Sequence, residues 1–161
     1  MGLQKVCIDQ SGIVNKTDRD TALVYCPVNS QEPNYTILIE EETTAKVHSR
    51  LKQSFKQKHR KNWFGPKMFA ISLFHLLQGS LNDIDTIHME EEYPGHMDAI
   101  LDTLNNFYKE TPTEFDREKF HIHPQNSKNV KQAHKLANKV REREQPYKAK
   151  LNYQDFRERL I

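Results

Sequence analysis

The stretch that decides the fold is QKVCIDQSGI, residues 4–13. Val6, Cys7 and Ile8 form an apolar run that stops on a carboxylate, Asp9, before Gln-Ser-Gly. A short apolar run with turn residues behind it reads as a strand over 3–9 that is buried in a sheet. A charge at the end of such a strand has two readings. Asp, Ser and Gly favour turns, so Asp9 serves as a turn former. Alternatively, Asp9 is a metal ligand at the sheet edge, where a cation offsets the cost of burying it.

Working outward, TALVYCP at 21–27 reads as a second strand and NYTILIEEE at 34–42 as a third, with turn residues between them. The expected start is an antiparallel meander. In the following segment Val47, Leu51 and Phe55 recur every four residues, the spacing of an amphipathic helix. PKMFAISLFHLLQG, from Pro66 to Gly79, is apolar on nearly every side and predicts a central buried helix. DIDTIHM at 83–89 is a fourth strand, followed by Glu90, Glu91 and Glu92. Met97, Ile100, Leu101 and Leu104 share a face of the next helix, KFHIH at 119–123 is a fifth strand, and Ser127 is placed to cap a last helix. Three antiparallel strands followed by alternating helices and strands predict an α/β fold: a five-stranded mixed sheet with helices on both faces. The domain is expected over 1–140, with 141–161 a charged, loosely packed tail.

The 161 residues suit one domain with a real core. Hydrophobic residues make up 36% and charged residues 29%. No stretch is apolar enough to span a bilayer, and the start lacks the pattern of a secretory signal, so the expectation is a cytoplasmic protein with no membrane partner. Cys7 and Cys26 lie in apolar surroundings without CxxC spacing and read as reduced, buried thiols. Charge is unevenly spread. Residues 43–67 hold Lys46, Arg50, Lys52, Lys56, Lys58, Arg60, Lys61 and Lys67 with no acid; against a whole-chain charge of +2, that leaves the rest at −6. An ordinary solvated helix face is one reading. Cations without acids, with Trp63 and Phe64 beside them for stacking, point to nucleic acid, and Lys52, Lys56, Lys58, Arg60, Lys61 and Trp63 are the expected contacts. With five glycines, no GxSxG, no P-loop and no GxGxxG, other familiar chemistries find little footing.

The order of elements, Asp9 in the first strand, MEEEY at the end of the fourth and HPQNSKNVKQAHKLANKV after the fifth resemble the ribonuclease H-like superfamily. The resemblance covers about residues 3–140 and implies a divalent-metal nuclease. It makes Asp9 and Glu90 metal-binding acids, His123 the loop histidine, Asn129 the loop asparagine, and Leu136-Ala137 the Leu-Ala pair of the last helix. Counting back from that pair puts His134 where the family has an acid. The helix from Pro66 has no acid in its first turns, where the family carries a Glu, and Glu40 or Glu41 is the expected substitute. The connection between the fourth and fifth strands leaves no room for an extra substrate-binding helix, a role the basic insertion at 43–63 would take.

The resemblance thus implies Asp9, Glu90 and His134 as metal ligands and, with His123, as catalytic residues. Mg²⁺ or Mn²⁺ is the expected cofactor, with Mn²⁺ tolerating imidazole better. RNA–DNA hybrid, structured RNA or branched DNA is the expected substrate. A catalytically inactive module of the same fold, binding nucleic acid or a protein partner, is the alternative. A nucleotide-binding relative using DQSG is a third. Bland readings stand beside each residue: Glu90 to Glu92 as an acidic cap on the next helix, His134 as a partly buried helix residue, and His121 with His123 as solvent-facing histidines. The His121–His123 spacing suits zinc, but the sequence offers no third ligand.

Overall fold

The computed structural model describes residues 4–12, 18–28, 35–59, 61–125 and 127–160. Six strands form one mixed sheet: β1 (Gln4–Ser11), β2 (Thr21–Pro27), β3 (Tyr35–Ile39), β4 (Ile84–Glu90), β5 (Phe120–His123) and β6 (Ala149–Lys150). Their order across the sheet is β5-β4-β1-β2-β3-β6. The pairs β1–β2 and β2–β3 are antiparallel, whereas β4 runs parallel to β1, β5 to β4 and β6 to β3. β1 is therefore both central and the point where the direction of build-up reverses. In open α/β sheets the crevice at such a switch point, at the carboxyl ends of the strands, is where ligands bind.

The alternation of β1 sorts its side chains by face. Val6 and Ile8 enter the larger core with the helices α1 (Glu41–Lys58), α2 (Phe64–Leu77), α3 (Met97–Tyr108) and α5 (Tyr153–Leu160). Cys7 faces the other way, into a smaller cluster under α4 (Lys131–Arg141) with Ala22, Val24, Cys26, Leu38, Val130, Ala133, Leu136, Ala137 and Val140. Helices thus cover both faces, as expected. The meander, the buried α2 and the inner face of α4 also follow the sequence pattern. Twelve of the fourteen residues of α2 are buried, which is why its apolar character runs all round.

Three boundaries differ for identifiable reasons. β1 continues through Asp9 to Ser11, because Asp9 pairs with Val24 and Ser11 with Ala22 across an intact ladder. The turn chemistry belongs instead to Gly12, whose φ of +79° and 2.6 Å approach of a virtual Cβ to the Asp20 carbonyl require glycine. The last helix begins at Lys131, after a 3₁₀ turn over Lys128–Val130, rather than at a Ser127 cap. The sheet has six strands rather than five, because residues after 140 join the fold. β6 pairs with the β3 edge, and α5 buries Phe156 and Leu160 against α1 and α2. The charged tail is a packed element with an apolar stripe.

Candidate metal centre and flanking clefts

On the α4 side of the sheet, Cys7, Asp9 and Ser11 stand in a row along β1, and His134, Asn138 and Arg141 look back from α4. Asp9 is 3% exposed. His134 Nδ1 and Asp9 Oδ2 share a hydrogen bond of 2.5 Å. Ser11 donates to Asn138 Oδ1 and accepts from Arg141 Nε at 2.7 Å. The helix spacing of 134, 138 and 141 puts these three on one stripe, as i, i+4, i+7 requires. Asp9 is thus not a turn residue. It is a buried carboxylate inside a central strand.

β4 brings the other acids. Ile8 pairs with Met89, so Glu90 follows beside Asp9 on the same face. Past the strand, the Glu92 N–H bonds back to the Glu90 carbonyl at 2.9 Å, and the chain reverses. That reversal returns Glu92 to the site, where Gln10 Nε2 donates to Glu92 Oε2 at 3.1 Å. One oxygen from each of Asp9, Glu90 and Glu92 lies within 4.8 Å of the others. Burial pushes the Asp9 carboxyl up to about 7, reinforced by the negative charge of Glu90. Burial likewise raises Glu92 to about 8, with Asp9 as hydrogen-bond partner and second negative charge. Carboxylates this close cannot all ionise unless a cation or shared protons neutralise them.

The donors suit a hard divalent cation. All three are carboxylate oxygens, the set that favours Mg²⁺ or Mn²⁺ over softer metals. The Gln10 Oε1 atom, beside them, is buried without a hydrogen-bond partner among the described residues. A buried acceptor left unpaired is costly, and a hydrated cation next to it would supply donors.

Two clefts open from this group. One, of about 380 Å³, is lined by His48, Lys52, Asn62, Tyr93 and His96 and ends on Glu92. The other, of about 330 Å³, is lined by Glu90, Ser127, Lys128, Lys131 and His134. A lysine-bearing cleft therefore leads to the carboxylates from either side.

The structure sets Glu90 beside Asp9 and hydrogen-bonds His134 to Asp9, but the atoms close enough to share one ion are those of Asp9, Glu90 and Glu92, without His134. It adds Glu92, Gln10, Ser11, Asn138, Arg141, Lys128 and Lys131. His123 ends β5 opposite Glu90, and its Nε2 lies 2.8 Å from His88 Nδ1. Glu40 is drawn away into ion pairs with Lys150 at 2.9 Å and Arg143 at 3.5 Å, and Glu41 is exposed at the start of α1. Of the basic arm, His48, Lys52 and Lys56 share one row of α1, and Lys52 reaches the first cleft. Lys58 is exposed at the end of α1, while Trp63 is half-buried with its ring 6.1 Å from His96. Arg60 and the side chains of Lys61 and Asn129 lie outside the described residues.

Among the described residues no helix is long and apolar enough to cross a membrane. No family model, curated protein or solved structure matches the chain.

Proposed function

We propose that this protein is a divalent-metal-dependent nuclease of ribonuclease H-like type, acting on the phosphodiester backbone of RNA–DNA hybrid, structured RNA or branched DNA. One observation carries the reading: Asp9, Glu90 and Glu92 converge at the sheet's switch point, with His134 bonded to Asp9. The strand order supports it, since an antiparallel β1–β2–β3 meander continued by parallel β4 and β5 is the arrangement the resemblance implies; β6 is an addition at the β3 edge.

When bound, Mg²⁺ or Mn²⁺ supplies charge stabilisation at the phosphate and a more acidic water. The chain's own groups do the rest. Asp9, Glu90 and Glu92 would hold the cation, with Asp9 and Glu92 giving up the protons that burial lets them keep. His134 keeps the Asp9 carboxylate oriented through its Nδ1. Lys52 on one side, and Lys128 with Lys131 on the other, draw the flanking phosphates into the two clefts. On this reading Glu92 supplies the third carboxylate that the resemblance led us to expect from Glu40 or Glu41.

A second reading keeps the binding and drops the catalysis. The first turn of α2 carries no acid, and Glu40 is ion-paired elsewhere. Incubation with end-labelled hybrid, duplex and junction substrates in Mg²⁺ and in Mn²⁺ decides between the two. Cleavage by the wild type, lost in Asp9→Asn with binding retained, supports the nuclease. Binding to those substrates with no cleavage in either ion leaves the inactive module.

A further inference from the structure

β5 is an edge strand of the sheet, and its α4-side face lies beyond the helix. α4 packs on β1, β2 and β3, so the α4 side of β4 and β5 is left uncovered by it. His88 pairs with Cys7 on one side and with His121 on the other, and Glu90 pairs with His123. Cross-strand partners share a face and residues two apart on a strand do too. His88, His121 and His123 therefore stand together on the half of that face beyond α4, where the 3₁₀ turn Lys128–Val130 packs on β4, with His121 exposed and the other two half-buried. His88 Nδ1 and His123 Nε2 are 2.8 Å apart. The rings of His121 and His123 are centred 5.4 Å and 5.0 Å from that of His88.

We infer that His88, His121 and His123 form a second metal site, specific for a borderline-soft divalent cation of the Zn²⁺ class and separate in chemistry from the carboxylate centre. Imidazole prefers such cations, whereas carboxylate oxygens prefer Mg²⁺ and Mn²⁺. Zn–N bonds of about 2.0–2.1 Å in tetrahedral geometry put two ligand nitrogens about 3.4 Å apart and the ring centres about 5.2 Å apart. The spacings from His88 lie either side of that value, while as the rings stand one nitrogen from each of the three does not come within 4.8 Å of the others. Admitting the cation asks the His88–His123 pair to part by about half an ångström and the exposed His121 side chain to rotate inward. Three protein ligands leave the fourth position to water, the arrangement of an open rather than a closed structural site. The inference goes beyond the nuclease reading and does not depend on it.

The test is calorimetric titration of tag-free protein with Zn²⁺ alone, together with visible absorption of the Co²⁺-loaded protein. The wild type binds one Zn²⁺ at this site, and Co²⁺ gives the intense bands of tetrahedral coordination. His88→Ala weakens Zn²⁺ binding at least 100-fold and His121→Ala at least 10-fold, the latter at an exposed position whose truncation leaves folding intact. Asp9→Asn, which cripples the carboxylate centre, leaves Zn²⁺ affinity within threefold. The proposal is overturned if the wild type takes up no Zn²⁺, or if His121→Ala and His88→Ala bind it as the wild type does. It is equally overturned if Asp9→Asn alone abolishes uptake, since zinc then sits on the carboxylates. A failure of cleavage with retained zinc binding would sink the nuclease reading and leave this site standing.

Discussion

Asp9 concentrates the physics of the site in one side chain. It is buried in a central strand, hydrogen-bonded to His134, and raised in pKa to about 7, while Glu92 is raised to about 8 from an ordinary 4.5. Both are carboxyls whose folded-state values lie above their unfolded ones, so the native state binds more protons than the unfolded chain between about pH 4 and 8. Their contribution to stability is thus intact below about pH 4 and declines as pH rises through 7 and 8. In metal-free protein Asp9→Asn should remove much of that decline and melt a few degrees higher than wild type at pH 8, a shift of about 1–2 kcal/mol. Thermal melts of the two proteins from pH 5 to 8.5 check this; a lower melting temperature for the variant at every pH would contradict the buried-repulsion account. The sequence carried part of this. An apolar run ending in Asp made the residue conspicuous and the resemblance pointed to Glu90, but EEEY offers three acids, and only the turn after β4 brings in Glu92.

At the scale of elements, α2 is the keystone of the larger core. Phe74 is 1% exposed, meets the rings of Phe107 and Tyr108 edge-on, and is covered by the Arg159 guanidinium at 4.5 Å. Phe74→Ala should cost about 3–5 kcal/mol, measured by urea denaturation; a loss under 1 kcal/mol would mean that the core closes over the gap. α5 was hidden in the sequence by its charges. Its signal was the pair Phe156 and Leu160, four apart, behind a buried Leu151. Phe156, fully buried against α1 and α2, predicts that Phe156→Ala also destabilises by about 3–5 kcal/mol. A disposable tail would melt unchanged. Strand type and helix faces were legible because they follow from local periodicity. The His88–His121–His123 group was not, since the third imidazole comes from a strand more than thirty residues away and depends on β4–β5 register.

For the molecule as a whole, the basic arm supplies one lysine to a cleft and α4 with the turn before it supplies two to the other. Part of the basic segment serves the fold: Lys46 and Arg50 lie over the Tyr153 ring and Lys67 over Phe55. Lys52 faces the cleft ending on Glu92, and Lys128 and Lys131 face the one that includes Glu90 and His134. Reversing Lys52, Lys128 and Lys131 to Glu should weaken nucleic-acid binding and flatten the log–log salt slope by roughly two to three. Binding isotherms across a salt series would refute the two-cleft path if the slope did not move. The central claim, that the three carboxylates hold a divalent cation, is tested most directly by calorimetric titration with Mn²⁺ at pH 8 and pH 6. The account predicts binding at pH 8 that weakens at pH 6 as protons compete, and at least tenfold loss of affinity in Asp9→Asn and in Glu92→Gln. Wild-type affinity in either variant, or no Mn²⁺ uptake at pH 8, would contradict it.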